Sequence, residues 1–97
     1  MHAVIRTYSG KGAKELFDLL EKNKAEAEAL MGSVKGFVSY SLVRTTNGGL
    51  SISIFETKAG ANASTKKASG WIKKNAPGVS AKPPAIIEGS VITHLNK

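Results

Sequence analysis

Two arginines and two tyrosines stand in segments whose apolar residues alternate. Arg6 and Tyr8 follow Val4 in the first such segment, and Tyr40 and Arg44 share a later one. Alternation with a period of two places every second side chain on the same face of a strand. A guanidinium or a phenol on such a face could hold an anionic or phenolic ligand, although surface or dimer-contact roles fit the same positions.

Three further residues are candidates for ligand binding. Trp71, the only tryptophan, lies at the edge of the apolar arc of a predicted helix, where it could line a cavity or belong to the core. His94 could act as a general base, because imidazole titrates near neutral pH, or it could face solvent. Asn62 begins a segment of hydroxyls and lysines that could bind a carboxylate or phosphate at a helix start, and ordinary capping by Asn62, Ser64 or Thr65 explains it as well.

The sequence contains no recognisable metal or cofactor site. It has no cysteine, which excludes disulfides, thiolate zinc sites and cysteine nucleophiles together. His2 and His94 lie at opposite ends, and the seven carboxylates are scattered without the spacing of metal ligands. The segment from Gly10 to Gly12 is too short for a phosphate-binding loop. We therefore expect neither a metal nor a cofactor.

The formal net charge of +7 makes nucleic acid a partner to consider. Only Arg6 and Arg44 among the fourteen cations are arginine, the residue best suited to bidentate contacts with phosphate and guanine. Nucleic acid is therefore disfavoured, and a lysine-rich surface for an acidic partner stays open. No apolar run approaches the ~20 residues that cross a bilayer, and no signal peptide is recognisable, so we expect a cytoplasmic protein without a membrane partner.

The pattern of apolar and turn-forming residues predicts four strands and two helices. The strands are expected at 3–8, 37–45, 50–55 and 85–95, the first helix at 13–31 and the second helix between a loop at 59–63 and Pro77. Asn47-Gly48 is typical of a hairpin turn between the second and third strands. Asn23 and Lys24 interrupt the apolar stripe of the first helix, which predicts a kink or a polar turn there.

This order, β-α-β-β-α-β, is the ferredoxin-like arrangement of the α+β class, with a four-stranded antiparallel sheet and two helices on one face. We expect residues 1–97 to form one domain, because a chain of this length fills a single core. The second strand carries Val38 and Leu42 on one face and Phe37 and Val43 on the other. The helices cover only one face, so a homodimer packed sheet against sheet is the simplest cover for the other.

A resemblance to a known group of proteins spans nearly the whole chain. It is carried by residues 49–61 (GLSISIFETKAGA), by Trp71 on the helix that follows, and by residues 84–94 (PAIIEGSVITH). In these segments the chain resembles the dimeric α+β barrel superfamily, and in particular its small antibiotic-biosynthesis-monooxygenase-like proteins. The resemblance implies a dimer whose protomers each hold a cavity between sheet and helices. In some members it also implies a cofactor-independent oxygenation of a phenolic or polycyclic substrate.

The chain departs from two patterns of these proteins. Haem-degrading relatives use a helix histidine as haem ligand, whereas here the histidines lie outside the predicted helices, which disfavours haem. Quinone-forming members place an asparagine and a tryptophan about one helical turn apart, whereas Asn62 and Trp71 are nine residues apart. Residues 35–40 (KGFVSY) partly resemble the stacking motif of RNA-recognition domains, but they fall on the second strand instead of the third.

We therefore expect a small aromatic or hydrophobic molecule to bind near Trp71, and to be oxidised without a cofactor if the protein is an enzyme. The ligand-binding candidates are Trp71, Tyr40, Arg6, Asn62 and His94. Among them Arg6, Tyr40 or the Trp71 N–H would stabilise an anion. The alternative is a non-enzymatic ligand-binding or structural homodimer, and an RNA-binding module is less favoured than either.

Overall fold

The chain folds into four strands and three helices, and the computed structural model describes residues 1–97. The strands are β1 (His2–Ser9), β2 (Phe37–Thr45), β3 (Gly48–Phe55) and β4 (Ala85–Ser90). The helices are α1 (Ala13–Lys22), α2 (Lys24–Gly32) and α3 (Lys58–Asn75). The predicted ferredoxin-like α+β fold is confirmed, with one more helix than the sequence pattern indicated.

The four strands form one antiparallel sheet in the order β2-β3-β1-β4. Its register places Arg6 of β1 between Ser51 of β3 and Ile86 of β4. Ile5, the preceding residue, lies between Ile52 and Ile87. Because cross-strand partners share a face, the Arg6 row lies under the helices and the Ile5 row lies on the opposite face.

The predicted first helix is two helices. Asn23 separates α1 from α2 with φ −114° and ψ 30°, outside helical geometry. Its side-chain Nδ2 donates to the carbonyl oxygen of Leu19 at 2.9 Å, and its backbone N–H also reaches that carbonyl. The amide thus ends α1 by bonding to its last turn, which is the local competition that disfavours asparagine inside helices.

Helix α3 begins earlier than predicted. The Thr57 hydroxyl caps it by accepting from the Gly60 backbone N–H at 3.2 Å, so residues 59–63 are helical and the predicted capping by Asn62, Ser64 or Thr65 is wrong. The inner stripe of α3 consists of small buried residues, among them Gly60 and Ala61. Small side chains of this kind let the helix lie close to the sheet.

Strand β4 is shorter than predicted and ends at Ser90 instead of residue 95. Ser90 pairs with His2, the first residue of β1, so β1 offers no partner for the residues after Ser90. The residues that follow leave the sheet. Ile92 and Leu95 are 99% and 95% exposed, which is unusual for large aliphatic side chains.

The core lies between the sheet and the helices in two clusters. One contains Leu16, Phe17 and Leu20 of α1 with Tyr8, and the other contains Val4, Val34, Phe55 and Ala61. Gly49 on β3 makes room for the first cluster, because a Cβ there would collide with the Phe17 ring.

The opposite face of the sheet is apolar and uncovered. It presents the row formed by Ile87, Ile5 and Ile52, with Val43 on the outer strand β2. Ile87 is 66% exposed and Val43 is 41% exposed. None of the three helices has the length and apolar character required to cross a bilayer.

Candidate functional site

Strand β1 brings a cation into the interior of the fold. Its side chains alternate so that Val4, Arg6 and Tyr8 all face the helices, and only 2% of Arg6 is exposed. The strand is an interior strand of the sheet, flanked by β3 and β4. An arginine at such a position is rare because burying its charge costs free energy unless a partner compensates it.

The guanidinium of Arg6 has only neutral partners. Its Nη1 donates to the hydroxyls of Thr65 at 3.0 Å and Ser64 at 3.4 Å. Its Nη2 donates to the Ser53 hydroxyl at 3.4 Å and lies 3.9 Å from the Met31 sulfur. No carboxylate lies within ion-pair distance of it. Arg6 is therefore a buried cation without a counter-ion, which favours an anionic ligand over a purely structural role.

The two tyrosines stand beside this cation. Burial raises the pKa of Tyr8, and the neighbouring Arg6 charge lowers it in part. Burial raises the pKa of Tyr40 to about 12, with the Arg6 charge acting in the opposite direction. Both phenols are therefore protonated at neutral pH, so they can donate a hydrogen bond to a ligand but cannot act as general bases.

Ser51 adds an unpartnered hydroxyl next to Arg6. It pairs with Arg6 across β1 and β3, is 4% exposed, and its Oγ atom is buried without a hydrogen-bond partner. Buried hydroxyls in native proteins nearly always have a partner. This one faces a cavity, where a ligand or a water molecule can supply the missing bond.

The cavity beside Ser51 lies between the sheet and all three helices, and we call it the Trp71 cavity. Its volume is about 40 Å³, enough for a few water-sized molecules and below the ~300 Å³ of a usual ligand pocket. Its polar lining residues, Arg6 and Ser51, lie on the sheet, and its other lining residues are hydrophobic. Its lining residues are Arg6, Tyr8, Leu20, Ala27, Leu30, Met31, Tyr40, Leu42, Ser51, Ala68, Trp71 and Ile72.

A larger cavity, which we call the Lys73 cavity, lies over β1 and β4 on the other side of α3. Its volume is about 330 Å³, within the range of small-molecule sites. It shares Arg6, Tyr8 and Ile72 with the Trp71 cavity. Its remaining lining residues are Leu16, Thr65, Ser69, Lys73, Ala81, Lys82, Pro83, Pro84 and Ile86.

Trp71 lines the Trp71 cavity and also packs against the core, and its N–H has a protein partner. The indole Nε1 donates to the Glu26 carboxylate of α2 at 2.9 Å, in an exposed hydrogen bond that links α2 and α3. Trp71 has no other side-chain hydrogen bond. In this structure the N–H is therefore engaged by Glu26, and the apolar ring is the part of Trp71 available to a ligand.

The structure brings Arg6, Tyr8, Tyr40 and Trp71 together and leaves the other candidates outside. Asn62 is exposed on α3 and lines neither cavity. The imidazole of His94 lies in the segment after β4, 2.9 Å from the Asn96 side chain, and also lines neither.

Arg44 points to the helix face at the surface. It forms ion pairs with Asp18 at 3.1 Å and Glu21 at 3.2 Å, both on α1. Its charge is thus compensated, in contrast to that of Arg6.

The sequence did not single out Ser51, Lys73 or Lys82. The alternation of β3 places Ser51 on the same face as Phe55, and that face must be buried. A serine on a buried face is the sequence feature that could have identified Ser51 as a site residue. Lys73 and Lys82 line the same cavity because residues 81–84 lie on the helix side of the sheet. No periodicity in the sequence predicts the position of that segment.

We expect the stability of the protein to fall between about pH 10 and about pH 12. A tyrosine whose pKa is raised by folding binds its proton more tightly in the native state, so its contribution is full below its ordinary pKa of 10.0 and is lost as pH rises toward about 12. Tyr40→Phe should flatten this decline in urea-unfolding free energy, leaving a smaller slope from Tyr8. An equally steep decline in Tyr40→Phe would contradict the assignment.

By sequence, the chain matches no family model and no curated protein. Its fold matches solved structures. The haem-degrading protein MhuD of Mycobacterium tuberculosis, solved with two haems in its active site, aligns with a TM-score of 0.69 and 15% identity over 99% of this chain and 100% of that one. A monooxygenase from the ActVA-Orf6 gene of Streptomyces coelicolor, in complex with nanaomycin D, aligns at 0.64 and 16%, over 99% and 90%.

A dimeric ferredoxin-like protein from an uncultured marine organism aligns with a TM-score of 0.64 and 12% identity, over 99% of this chain and 96% of that one. The chain therefore has the same ferredoxin-like α+β fold as these solved proteins. This agrees with the resemblance found in the sequence.

The residues around Arg6 do not fit a histidine-ligated haem. No histidine lines either cavity, because His2 contacts Glu88 at the start of β1 and His94 lies beyond β4. No cluster of three or more His, Asp or Glu side chains with metal-ligand geometry occurs in the structure.

Proposed function

We propose that the protein binds a small aromatic molecule with an acidic hydroxyl group, and that the ionised hydroxyl lies against Arg6. The observation that carries this proposal is the buried guanidinium with only neutral partners. An anion at this position compensates the charge that the protein leaves uncompensated. The guanidinium in turn lowers the pKa of the ligand hydroxyl, because a nearby positive charge favours the anionic form.

We propose a position for each part of this ligand from the size and lining of the two cavities. A fused aromatic ring needs the larger Lys73 cavity, where Leu16, Ile72 and Pro84 supply apolar contacts. Arg6 and Tyr8 lie at the boundary with the Trp71 cavity, so a hydroxyl placed there receives hydrogen bonds from both.

The reaction we propose is oxygenation of the ionised ring by O2 without a cofactor. The electron-rich anion supplies the electrons, one oxygen atom forms a new ring carbonyl, and the other leaves as water with the two hydrogens lost from the ligand. No external reductant is needed. The small, mostly apolar Trp71 cavity beside Arg6 is where O2 binds. No Asp, Glu or His lines either cavity, so the hydroxyl proton passes to solvent.

We also propose that the protein is a homodimer that packs through the uncovered face of its sheet. The apolar row of Ile87, Ile5 and Ile52 supports this, because contiguous apolar surface in a monomer is typical of an interaction site. The dimeric protein of the same fold supports it as well.

Titration with 2-naphthol tests the proposed binding. We expect 2-naphthol to bind at least ten times more tightly than 2-methoxynaphthalene, which has the same ring but cannot ionise. The absorbance of bound naphtholate should appear at lower pH than that of free naphtholate. Equal affinity for the two compounds, or an unchanged ionisation pH, would contradict the proposal.

Oxygen consumption tests the proposed reaction separately. With bound 2-naphthol we expect one O2 consumed for each ortho-naphthoquinone formed, and no consumption with 2-methoxynaphthalene. Binding of 2-naphthol without oxygen uptake would refute the oxygenase activity and leave a non-enzymatic ligand-binding protein.

A further inference from the structure

We infer that the ligand is an aromatic acid, whose second negative group, a carboxylate, binds between Lys73 and Lys82 at the far side of the Lys73 cavity. This inference rests on the proposed function, because it assumes that the hydroxyl end lies at Arg6. It adds the substrate class, a hydroxylated aromatic ring that carries a carboxylate away from the hydroxyl.

The charges that line the Lys73 cavity are all positive. Arg6, Lys73 and Lys82 contribute three cations, whereas none of the twelve lining residues is aspartate or glutamate. A cavity lined by charges of one sign concentrates ligands of the opposite sign. A ligand with a single ionised hydroxyl would compensate Arg6 and make no use of the two solvent-exposed ammonium groups.

Neither lysine is engaged by the protein. The ion pairs of the structure involve only His2 and Arg44 as cations, so Lys73 and Lys82 have no carboxylate partner. The two lysines come from different parts of the chain. Lys73 lies in the last turn of α3, whereas Lys82 belongs to the segment before β4 and lies close to Gly10. Their convergence on one cavity is thus a product of the fold and not of neighbouring positions in the sequence.

The chemistry of the cavity matches a carboxylate on an aromatic ring. Ammonium groups act as compact point charges that can bind a carboxylate from either side. The same cavity has an apolar lining that suits a flat ring, formed by Leu16, Ile72, Pro83, Pro84 and Ile86. Hydroxyls of Thr65 and Ser69 add hydrogen-bonding groups along the helix side.

A series of probes tests this inference. It compares 2-naphthol with 6-hydroxy-2-naphthoate and with homologues whose carboxylate is joined to the ring through two or four methylene groups. We expect at least one of the acids to bind ten times or more as tightly as 2-naphthol. That gain should disappear in the double variant Lys73→Gln/Lys82→Gln, to which the acid and 2-naphthol should bind with similar affinity.

A matched control separates local from general charge effects. Lys66 and Lys74 are exposed on the same helix and line neither cavity, so Lys66→Gln/Lys74→Gln removes the same net charge and should retain the gain. The inference is overturned if no acid binds more tightly than 2-naphthol, or if both double variants lose the gain equally. Failure of 2-naphthol to bind at all would instead refute the proposed function.

Discussion

Replacement of Arg6 by methionine is expected to weaken 2-naphthol binding about 10- to 150-fold without destabilising the fold. Losing a hydrogen bond to a charged group costs ~1.5–3 kcal/mol of binding free energy, which sets this range. Removing a buried charge that has no counter-ion relieves its desolvation cost, because well-packed apolar replacements of buried charges are often neutral or stabilising. We expect the free energy of unfolding to stay unchanged or to rise.

The polar neighbours of Arg6 support this expectation for stability. The hydroxyls of Ser64 and Thr65 also donate to the Ala61 carbonyl, at 2.7 Å and 3.3 Å, so they keep a partner when the guanidinium is removed. Among the hydroxyls only that of Ser53 loses its partner, and a methionine side chain fills most of the vacated volume and can pack against the Met31 sulfur.

Isothermal titration and urea unfolding of the Arg6→Met protein measure the two effects. Arg44→Met is the matched control, because Arg44 is half-exposed and pairs with α1 carboxylates outside both cavities. It should retain 2-naphthol binding and change stability by less than ~1 kcal/mol. Native binding affinity in Arg6→Met, together with a large loss of stability, would show that Arg6 is structural and would remove the basis of the proposed function.

Replacement of Ile52 by lysine is expected to convert the proposed dimer into a monomer. Ile52 lies at the middle of the uncovered face, between Ile5 of β1 and Ser41 of β2. A stable interface buries ~1,200–2,000 Å², and a lysine at its centre would bring two ammonium groups together in a desolvated region. In the monomer the same lysine reaches water, so the fold is retained.

Sedimentation equilibrium at micromolar concentration provides the measurement. The native protein should sediment as a dimer and Ile52→Lys as a monomer with an unchanged circular dichroism spectrum. Ala25→Lys, an equally large change at an exposed position of α2, should remain dimeric. A monomeric native protein, or a dimeric Ile52→Lys protein, would refute the proposed interface.

The strands were predictable from sequence because their signals are local. The predicted ends of β1, β2 and β3 agree with the observed ends within two residues. These predictions came from the alternation around Val4 and Ile5 and from the two alternating runs that flank Asn47-Gly48. The end of β4 was not predictable, since it depends on where β1 begins. The start of α3 was missed because Gly60 and Asn62 have low helix propensity, whereas Gly60 and Ala61 are buried on the inner side of the helix, where small residues are favoured.

The candidate site was predictable in its residue types and not in its geometry. Arg6 and Tyr40 were selected because they stand on alternating strands, but the sequence does not show that Arg6 faces the helices without a counter-ion. That property depends on the register of three strands and on the hydroxyls that α3 supplies. His94 and Asn62 were selected for their chemistry alone, and their positions after β4 and on the outside of α3 leave both away from Arg6.

The position of β1 inside the sheet imposes an order on folding during synthesis. β1 is made first, yet one of its two neighbours, β4, is the last strand of the fold, and His2 pairs with Ser90 across 88 residues. Contacts this distant in sequence form late and slowly. In a nascent chain, the strand that carries Arg6 therefore has one unpaired edge until β4 has left the ribosome. The pairing of β4 with β1 then completes the sheet and at the same time adds Ile86 to the lining of the Lys73 cavity.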